Sequence, residues 1–340
     1  MDMRDVILSQ AEQISRSVEV NKDIKIEGDF DSIVLCGMGG SGHPGDLINA
    51  LGVSNVPLFV HRNYDLPLKY LGNMGFKKTL LVASSYSGNT EESLTAYEVA
   101  MKNKMPILAS AAGGTLEEWA KRDGVPFVRN DFTGMQPRHT LFAAFTGIYT
   151  ALNNSGLVRD ITEDLQRVET ILEQVTPDLE ESGKQLAKQL KGKVVVYTAT
   201  DSLGFAAKNF KIQTNENSKA PAFWNQFPEL NHNEMVGFSG TLKTDDSPGK
   251  FHVVILHAED DHPRNKARMD VTAEMYKKWG VTVSHFDIPG SNRLEQIFYA
   301  TTLGMWTTYY LALEYGIDPV PVVGVEDFKN KLKELSGSLT

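Results

Sequence analysis

The chain has 340 residues, 41% of them apolar, 23% charged and 9% aromatic. That excludes disordered, collagenous and fibrous classes and, at roughly 150 residues per domain, suggests two domains. A net charge of −9 argues against nucleic acid or an anionic membrane as the main partner, while a local basic pocket can still collect a phosphorylated metabolite.

The single cysteine, Cys36, excludes an intrachain disulfide, a cysteine-rich zinc site and a CxxC redox motif. No apolar run reaches the ~18 residues of a membrane span, and the first residues lack the apolar core of a signal peptide, so a cytoplasmic location is expected. The helical spacing of Val6, Ile7, Ala11, Ile14 and Val18 predicts an opening amphipathic helix. β-Branched runs follow at Ser32 to Cys36, Val56 to Val60, Thr79 to Ala83, Pro106 to Ala109 and Pro126 to Val128. Thr90 to Lys102 and Thr115 to Arg122 read as helices, each opened by a threonine suited to capping and by acidic residues suited to the positive helix end. That alternation predicts a parallel sheet covered on both faces.

From Leu157 to Lys191 the composition turns to Glu, Asp, Gln, Lys and Leu, which predicts one or two long surface helices bridging domains. A second alternation follows, with strands at Lys193 to Thr198, His252 to His257 and Thr282 to Phe286. Its helices fall near Leu203 to Thr214, Arg264 to Trp279 and Arg293 to Tyr315, with a terminal helix after Gly324. The expected division is therefore residues 1–155, a helical linker at 156–191, and residues 192–340.

The loop Gly37-Met38-Gly39-Gly40-Ser41-Gly42 directly follows a strand, where glycines let backbone N–H groups close on an anion. Its spacing also fits GxGxxG, but the second strand ends at His61-Arg62 with no acidic residue to hold a ribose hydroxyl, which leaves NADP as an alternative. The third strand ends in Ser84-Ser85-Tyr86-Ser87-Gly88-Asn89-Thr90. The hydroxyls of Ser85, Ser87 and Thr90 form a candidate cup for a tetrahedral oxyanion at a helix start. Both loops are expected to face one crevice beyond the strand ends.

These two loops, followed by Gln136-Pro137-Arg138, Asn215-Glu216-Asn217-Ser218-Lys219, Pro228-Glu229-Leu230-Asn231-His232-Asn233-Glu234 and Gly316-Ile317-Asp318-Pro319, resemble the bifunctional phosphoglucose/phosphomannose isomerases. These belong to the sugar isomerase (SIS) superfamily. The resemblance implies two α/β SIS-like domains, each a three-layer arrangement of a parallel sheet flanked by helices. It implies isomerisation of glucose 6-phosphate and mannose 6-phosphate with fructose 6-phosphate.

It also implies Glu216 as the base that moves a proton between C2 and C1, a task a carboxylate within reach of both carbons can perform. His232 matches the family's ring-opening histidine, which the neighbouring subunit contributes, so a homodimer with shared sites is implied. Arg138 matches an arginine whose fixed charge can stabilise an enediolate. A lysine near the C-terminus is also implied: the match of Val325-Glu326-Asp327-Phe328-Lys329 to the family's terminal helix picks Lys329, with Lys331 as the alternative. Gly40, Ser41, Ser85, Ser87 and Thr90, with Arg138, are the expected substrate-binding residues.

No cofactor and no metal is expected. His257-Ala258-Glu259-Asp260-Asp261-His262 clusters ligand types but ends a predicted strand and runs into Pro263, so it reads as a solvated loop, and His232 and Glu234 lack the i, i+4 spacing of a helical zinc pair. A SIS-type sugar-phosphate sensor, an NADP-dependent dehydrogenase and a glucosamine phosphate isomerase are the alternatives.

Overall fold

The computed structural model describes residues 2–68, 71, 75–239 and 247–336. The apolar run at Ser32–Cys36 is strand β1, buried along its whole length. β2 (Leu58–His61), β3 (Thr79–Ser84), β4 (Ile107–Ala111) and β5 (Phe127–Arg129) join it in the order β2-β1-β3-β4-β5, all parallel. The second sheet runs β7-β6-β8-β9, again parallel, from β6 (Val194–Ala199), β7 (Ala222–Gln226), β8 (Phe251–Ala258) and β9 (Thr282–Ile288). The two α/β sheets agree with the expected fold class. Strand β7, at one edge, is an element that the sequence pattern did not announce.

The opening segment is two helices, α1 (Met3–Leu8) and α2 (Gln10–Asn21), rather than one. The hydroxyl of Ser9, between them, donates to the carbonyl of Val6 at 2.8 Å, a local bond that competes with continued helix. After α3 (His43–Leu51) come α4 (Glu91–Lys102) and α5 (Gly114–Asp123). Neither uses its threonine as expected: Thr90 makes no side-chain cap bond, and Thr115 lies inside the first turn of α5.

Helix α6 (Leu141–Asn154) and the 29-residue α7 (Thr162–Leu190) close the first half. Helix α7 is single and amphipathic, with one face exposed and the other buried. Leu165, Val168, Leu172, Leu179, Leu186 and Leu190 recur at steps of three, four and seven residues, so they share one helix face, and are buried. That stripe packs on α2 and on the long α11 (Arg293–Glu314). Between them in the chain are α8 (Gly204–Asn217), the short α9 (Glu234–Phe238) and α10 (Pro263–Lys278), and the last described element is α12 (Val323–Ser336).

One continuous apolar core runs from Met3 to Leu311 and touches both sheets. Fully burying a large aliphatic or aromatic side chain contributes about 1.5–3 kcal/mol, and Phe142, Phe210, Phe298 and Trp306 all sit in this core. The two halves are thereby held in one arrangement.

Each sheet has a point where the strand order reverses, between β1 and β3 in the first and between β6 and β8 in the second. The second is stitched shut. Thr200, after β6, hydrogen bonds the carboxylate of Asp261, after β8, and Asp261 also accepts from the backbone N–H of Ala258 at 2.9 Å. The first carries the glycine and serine loops.

Candidate active site

Strand β1 ends at Cys36, and the glycine loop winds into a 3-10 turn at Gly39–Gly42 that leads straight into α3. The hydroxyl oxygen of Ser41 accepts from the backbone N–H of Tyr86 at 2.9 Å, tying this loop to the one after β3. The phenol of Tyr86 donates to the carbonyl of Phe132 at 2.8 Å and accepts from the N–H of Met135 at 3.1 Å. Three segments therefore converge beyond the strand ends.

The serine loop is held from within. Ser85 is fully buried, and its hydroxyl donates to Thr90 Oγ1 at 2.8 Å and accepts from the Thr90 N–H at 3.3 Å. Ser87 is exposed, with its Oγ accepting from the Asn89 N–H at 3.2 Å. Of the three expected hydroxyls, Ser85 thus acts as a strut for Thr90, and Ser87 faces outward beside the first turn of α4, whose N–H groups have no intrahelical acceptor. Gly88 has φ +69°, and a Cβ there would fall on the carbonyl oxygen of Gly113. Only glycine allows that approach.

Gly40 lies against the turn that carries Arg138: a Cβ on it would come within 3.0 Å of the carbonyl carbon of Pro137. From that turn, Pro137–Thr140, the Arg138 side chain runs inward with 2% of its surface exposed. Its Nε donates to Asn217 Oδ1 at 2.5 Å, and its Nη2 donates to the carbonyls of Pro319 and Val320, both at 2.9 Å. The remaining nitrogen, Nη1, stands 3.2 Å from Glu216 Oε2. Burial works against the charge of Arg138, and the Glu216 carboxylate answers it. Glu216, at the end of α8, keeps 35% of its side chain open, so it offers a carboxylate to the crevice while its partner stays in the protein.

Several residues around this pair were passed over individually by the sequence reading: Asn217 and Lys219 lie in a quoted motif, whereas His139 and Thr308 do not. Asn217 is the hub. Its Oδ1 faces His139 Nε2 at 3.3 Å as well as Arg138, and its amide nitrogen donates to Thr308 Oγ1 on α11 at 2.9 Å. Burial, aided by Arg138, pushes His139 down to about 3, so its imidazole is neutral. Lys219 donates from Nζ to the carbonyls of Glu216, Asn217 and Pro319 at 2.8, 3.2 and 2.9 Å. The identities of Asn217 and Lys219 were visible in their motif, but the contacts of Lys219 are to main-chain carbonyls that carry no sequence signal, and those of Asn217 are to side chains distant in the chain.

The structure does not bring every expected residue together. His232 sits in a 3-10 turn after β7, exposed, and its side chain hydrogen bonds no described residue. Lys329 and Lys331 lie on α12, both exposed. An open groove lined by Asn231, Met235, Arg264, Arg268 and Val271 adjoins the turn of His232 rather than the Arg138–Glu216 pair.

Arg62, the basic residue that kept NADP open, donates to Asp46 at 2.5 Å and to the carbonyl of Gly42 at 3.3 Å. Lys208 of α8 donates to the same carboxylate at 2.8 Å. Of the clustered ligand types after β8, Asp261 is bonded to Thr200, His262 Nδ1 caps α10, and His257 faces His285 at 2.9 Å. Among the described residues no three His, Cys, Asp or Glu side chains form a metal-binding group, and no helix is long and apolar enough to cross a membrane.

Comparison with known proteins bears on the fold and the family. A hypothetical protein of Thermus thermophilus has the same fold, with a TM-score of 0.76 at 17% identity over 98% of this chain and 89% of that one. Residues 179–332 match the family model of the bacterial phospho-glucose isomerase C-terminal SIS domain. The bifunctional phosphoglucose/phosphomannose isomerase of Caldicellulosiruptor bescii is 35% identical across 98% of this chain and 99% of its own length. That of Aquifex aeolicus is 33% identical across 90% and 91%. With identity at that level across nearly the whole chain, the chain belongs to the bifunctional phosphoglucose/phosphomannose isomerase family.

Proposed function

We propose that this protein reversibly isomerises glucose 6-phosphate and mannose 6-phosphate with fructose 6-phosphate by proton transfer through an enediol or enediolate, without a metal. The observation that carries the proposal is the Arg138–Glu216 pair, a half-open carboxylate 3.2 Å from a buried guanidinium, beside the glycine loop. Residues 1–155 supply the phosphate-binding domain and residues 192–340 the domain with the base and the terminal helix. The segment 156–191 bridges them.

In this reading the phosphate and adjacent sugar hydroxyls are held by Gly40, Ser41, Ser87 and Thr90, with Ser85 bracing the loop. Glu216 removes the proton at C2 and returns it at C1, or the reverse. Arg138 stabilises the negative charge that develops on the sugar oxygens, and its four other hydrogen bonds, to Gln136, Asn217, Pro319 and Val320, hold it in place beforehand. The exposed His232 completes the ring-opening machinery of a partner subunit in a homodimer, working with Lys329 or Lys331 at the sugar ring. Turnover of both C2 epimers requires rotation about the C2–C3 bond, so that either face of C2 meets the same base. The expected location is cytoplasmic, with neither nucleic acid nor membrane as a partner.

The test is incubation with fructose 6-phosphate and a chelator, with chromatographic identification of products. Both glucose and mannose 6-phosphates are expected. Glucose 6-phosphate alone removes the claim for both epimers, and loss of activity to the chelator removes the metal-free mechanism. Absence of product with sugar phosphate still bound makes a sensor the better reading. Glu216→Gln, close in shape but a poor base, is expected to lose about 10²- to 10⁴-fold in kcat. Normal turnover in that variant would exclude Glu216 as the base.

A further inference from the structure

Lys219 adopts a left-handed backbone, φ +51°, a conformation in which glycine would be at ease and a lysine is strained. It directly follows Ser218, the residue that closes α8. The position is the usual place for a C-terminal glycine, so a side chain kept there calls for a reason.

The side chain turns back over the helix end. Its Nζ is shared among three carbonyls, those of Glu216 and Asn217 in the last turn of α8 and that of Pro319 from the chain after α11. An ammonium has three donors and suits the negative end of a helix. Pro319 O is also an acceptor for Arg138 Nη2, so one carbonyl joins both cations. Burial and the nearby Arg138 both disfavour the charge of Lys219, while Asp318 and Glu216 favour it. Lys219 is exposed over much of its length, yet its Nζ is drawn onto the helix end beside Arg138 despite the left-handed backbone.

We propose that Lys219 is a positioning residue for the isomerisation: it clamps the main chain at Glu216 against the Pro319 segment, so that the carboxylate is held in register with Arg138. The proposal rests on the function assigned above. Nothing in it requires Lys219 to touch the substrate. Its loss is therefore expected to act on turnover rather than on sugar-phosphate binding.

The experiment compares Lys219→Gly, Lys219→Met and Lys219→Arg with the wild type and with Glu216→Gln, using fructose 6-phosphate kinetics and thermal unfolding of the full-length protein. Lys219→Gly relieves the backbone strain and removes the clamp, so it is expected to melt no lower than the wild type. Its kcat is expected to fall about 10- to 100-fold, the scale of a slightly misplaced catalytic group. KM should stay within about twofold in this kinetic split. Lys219→Met should lose a similar factor, and Lys219→Arg, which keeps the charge, should recover part of it.

If Lys219→Gly and Lys219→Met both turn over normally while Glu216→Gln is inactive, this inference is wrong and the function stands. A loss of kcat matched by a lower melting temperature in both variants also overturns it, since Lys219 would then be merely structural. If the wild type forms no aldose phosphate, the function and this inference fall together.

Discussion

Arg138 reaches Glu216 with only one of its nitrogens. Nη1 stands 3.2 Å from Glu216 Oε2, while Nε and Nη2 are committed to Asn217, Pro319 and Val320. The guanidinium is thus fixed by neutral groups before any substrate arrives, and the carboxylate is the partner left half open.

Replacing Arg138 by lysine is therefore expected to be damaging. A lysine keeps the charge but cannot span the fork of acceptors, so at least one buried carbonyl loses its donor. Turnover should fall about 10²- to 10³-fold, the range for removing a fixed electrostatic contact to a developing oxyanion. Unfolding in urea should show a loss of about 1–3 kcal/mol for the unpaired groups. An Arg138→Lys enzyme with wild-type kcat would show that the charge alone suffices.

Two glycines separate conformational strain from collision. Gly39 has φ +50° with nothing near where a Cβ would point, whereas Gly88 has φ +69° and would drive a Cβ into Gly113. Gly39→Ala is expected to cost about 1–2 kcal/mol, the penalty of a left-handed alanine. Gly88→Ala adds to that penalty about 1–3 kcal/mol for overpacking and should raise KM as the serine loop shifts. Chemical denaturation of the two variants side by side checks the order, and equal losses would remove the role of Gly113.

Stability should decline as the solution is acidified from pH 7 to 5. Burial pushes His43 and His252 down to about 4 and His139 to about 3, against about 6.5 in an unfolded chain. Below about pH 6.5 the unfolded state takes up protons that the folded state refuses, and the equilibrium moves toward unfolding. The stabilisation is complete above that pH and is lost as pH falls toward the folded values. His285, also lowered mainly by burial, acts in the same sense as those three, while Glu234, raised by burial, works in the opposite sense, one group against four. Urea midpoints at pH 7 and pH 5 measure the balance, and a midpoint that holds or rises at pH 5 contradicts it.

Much of the fold was legible because it rests on local patterns. The run at Ser32 to Cys36 is a strand with those same ends, and the alternation of strands and helices implied parallel sheets. Helix α6 was silent for a physical reason. From Leu141 to Leu152 nearly every residue is buried, so the segment has no polar face to create a helical period. Strand β7 pairs apolar Ala222 and Phe223 with polar Asn225 and Gln226, and only its place beside β6 makes it a strand.

For the candidate site, the residue types that can bind phosphate or move a proton were already visible in the glycine loop, the serine loop, Arg138 and Glu216. A motif specifies chemistry because it names side chains. Tertiary structure decided the rest. It turned Ser85 inward to Thr90, seated Arg138 on the carbonyls of Pro319 and Val320, and left His232 facing outward. The seat of Arg138 depends on which backbone groups, distant in the chain, arrive next to its side chain. Every residue offers the same carbonyl, so no sequence pattern marks the ones that Arg138 and Lys219 would find.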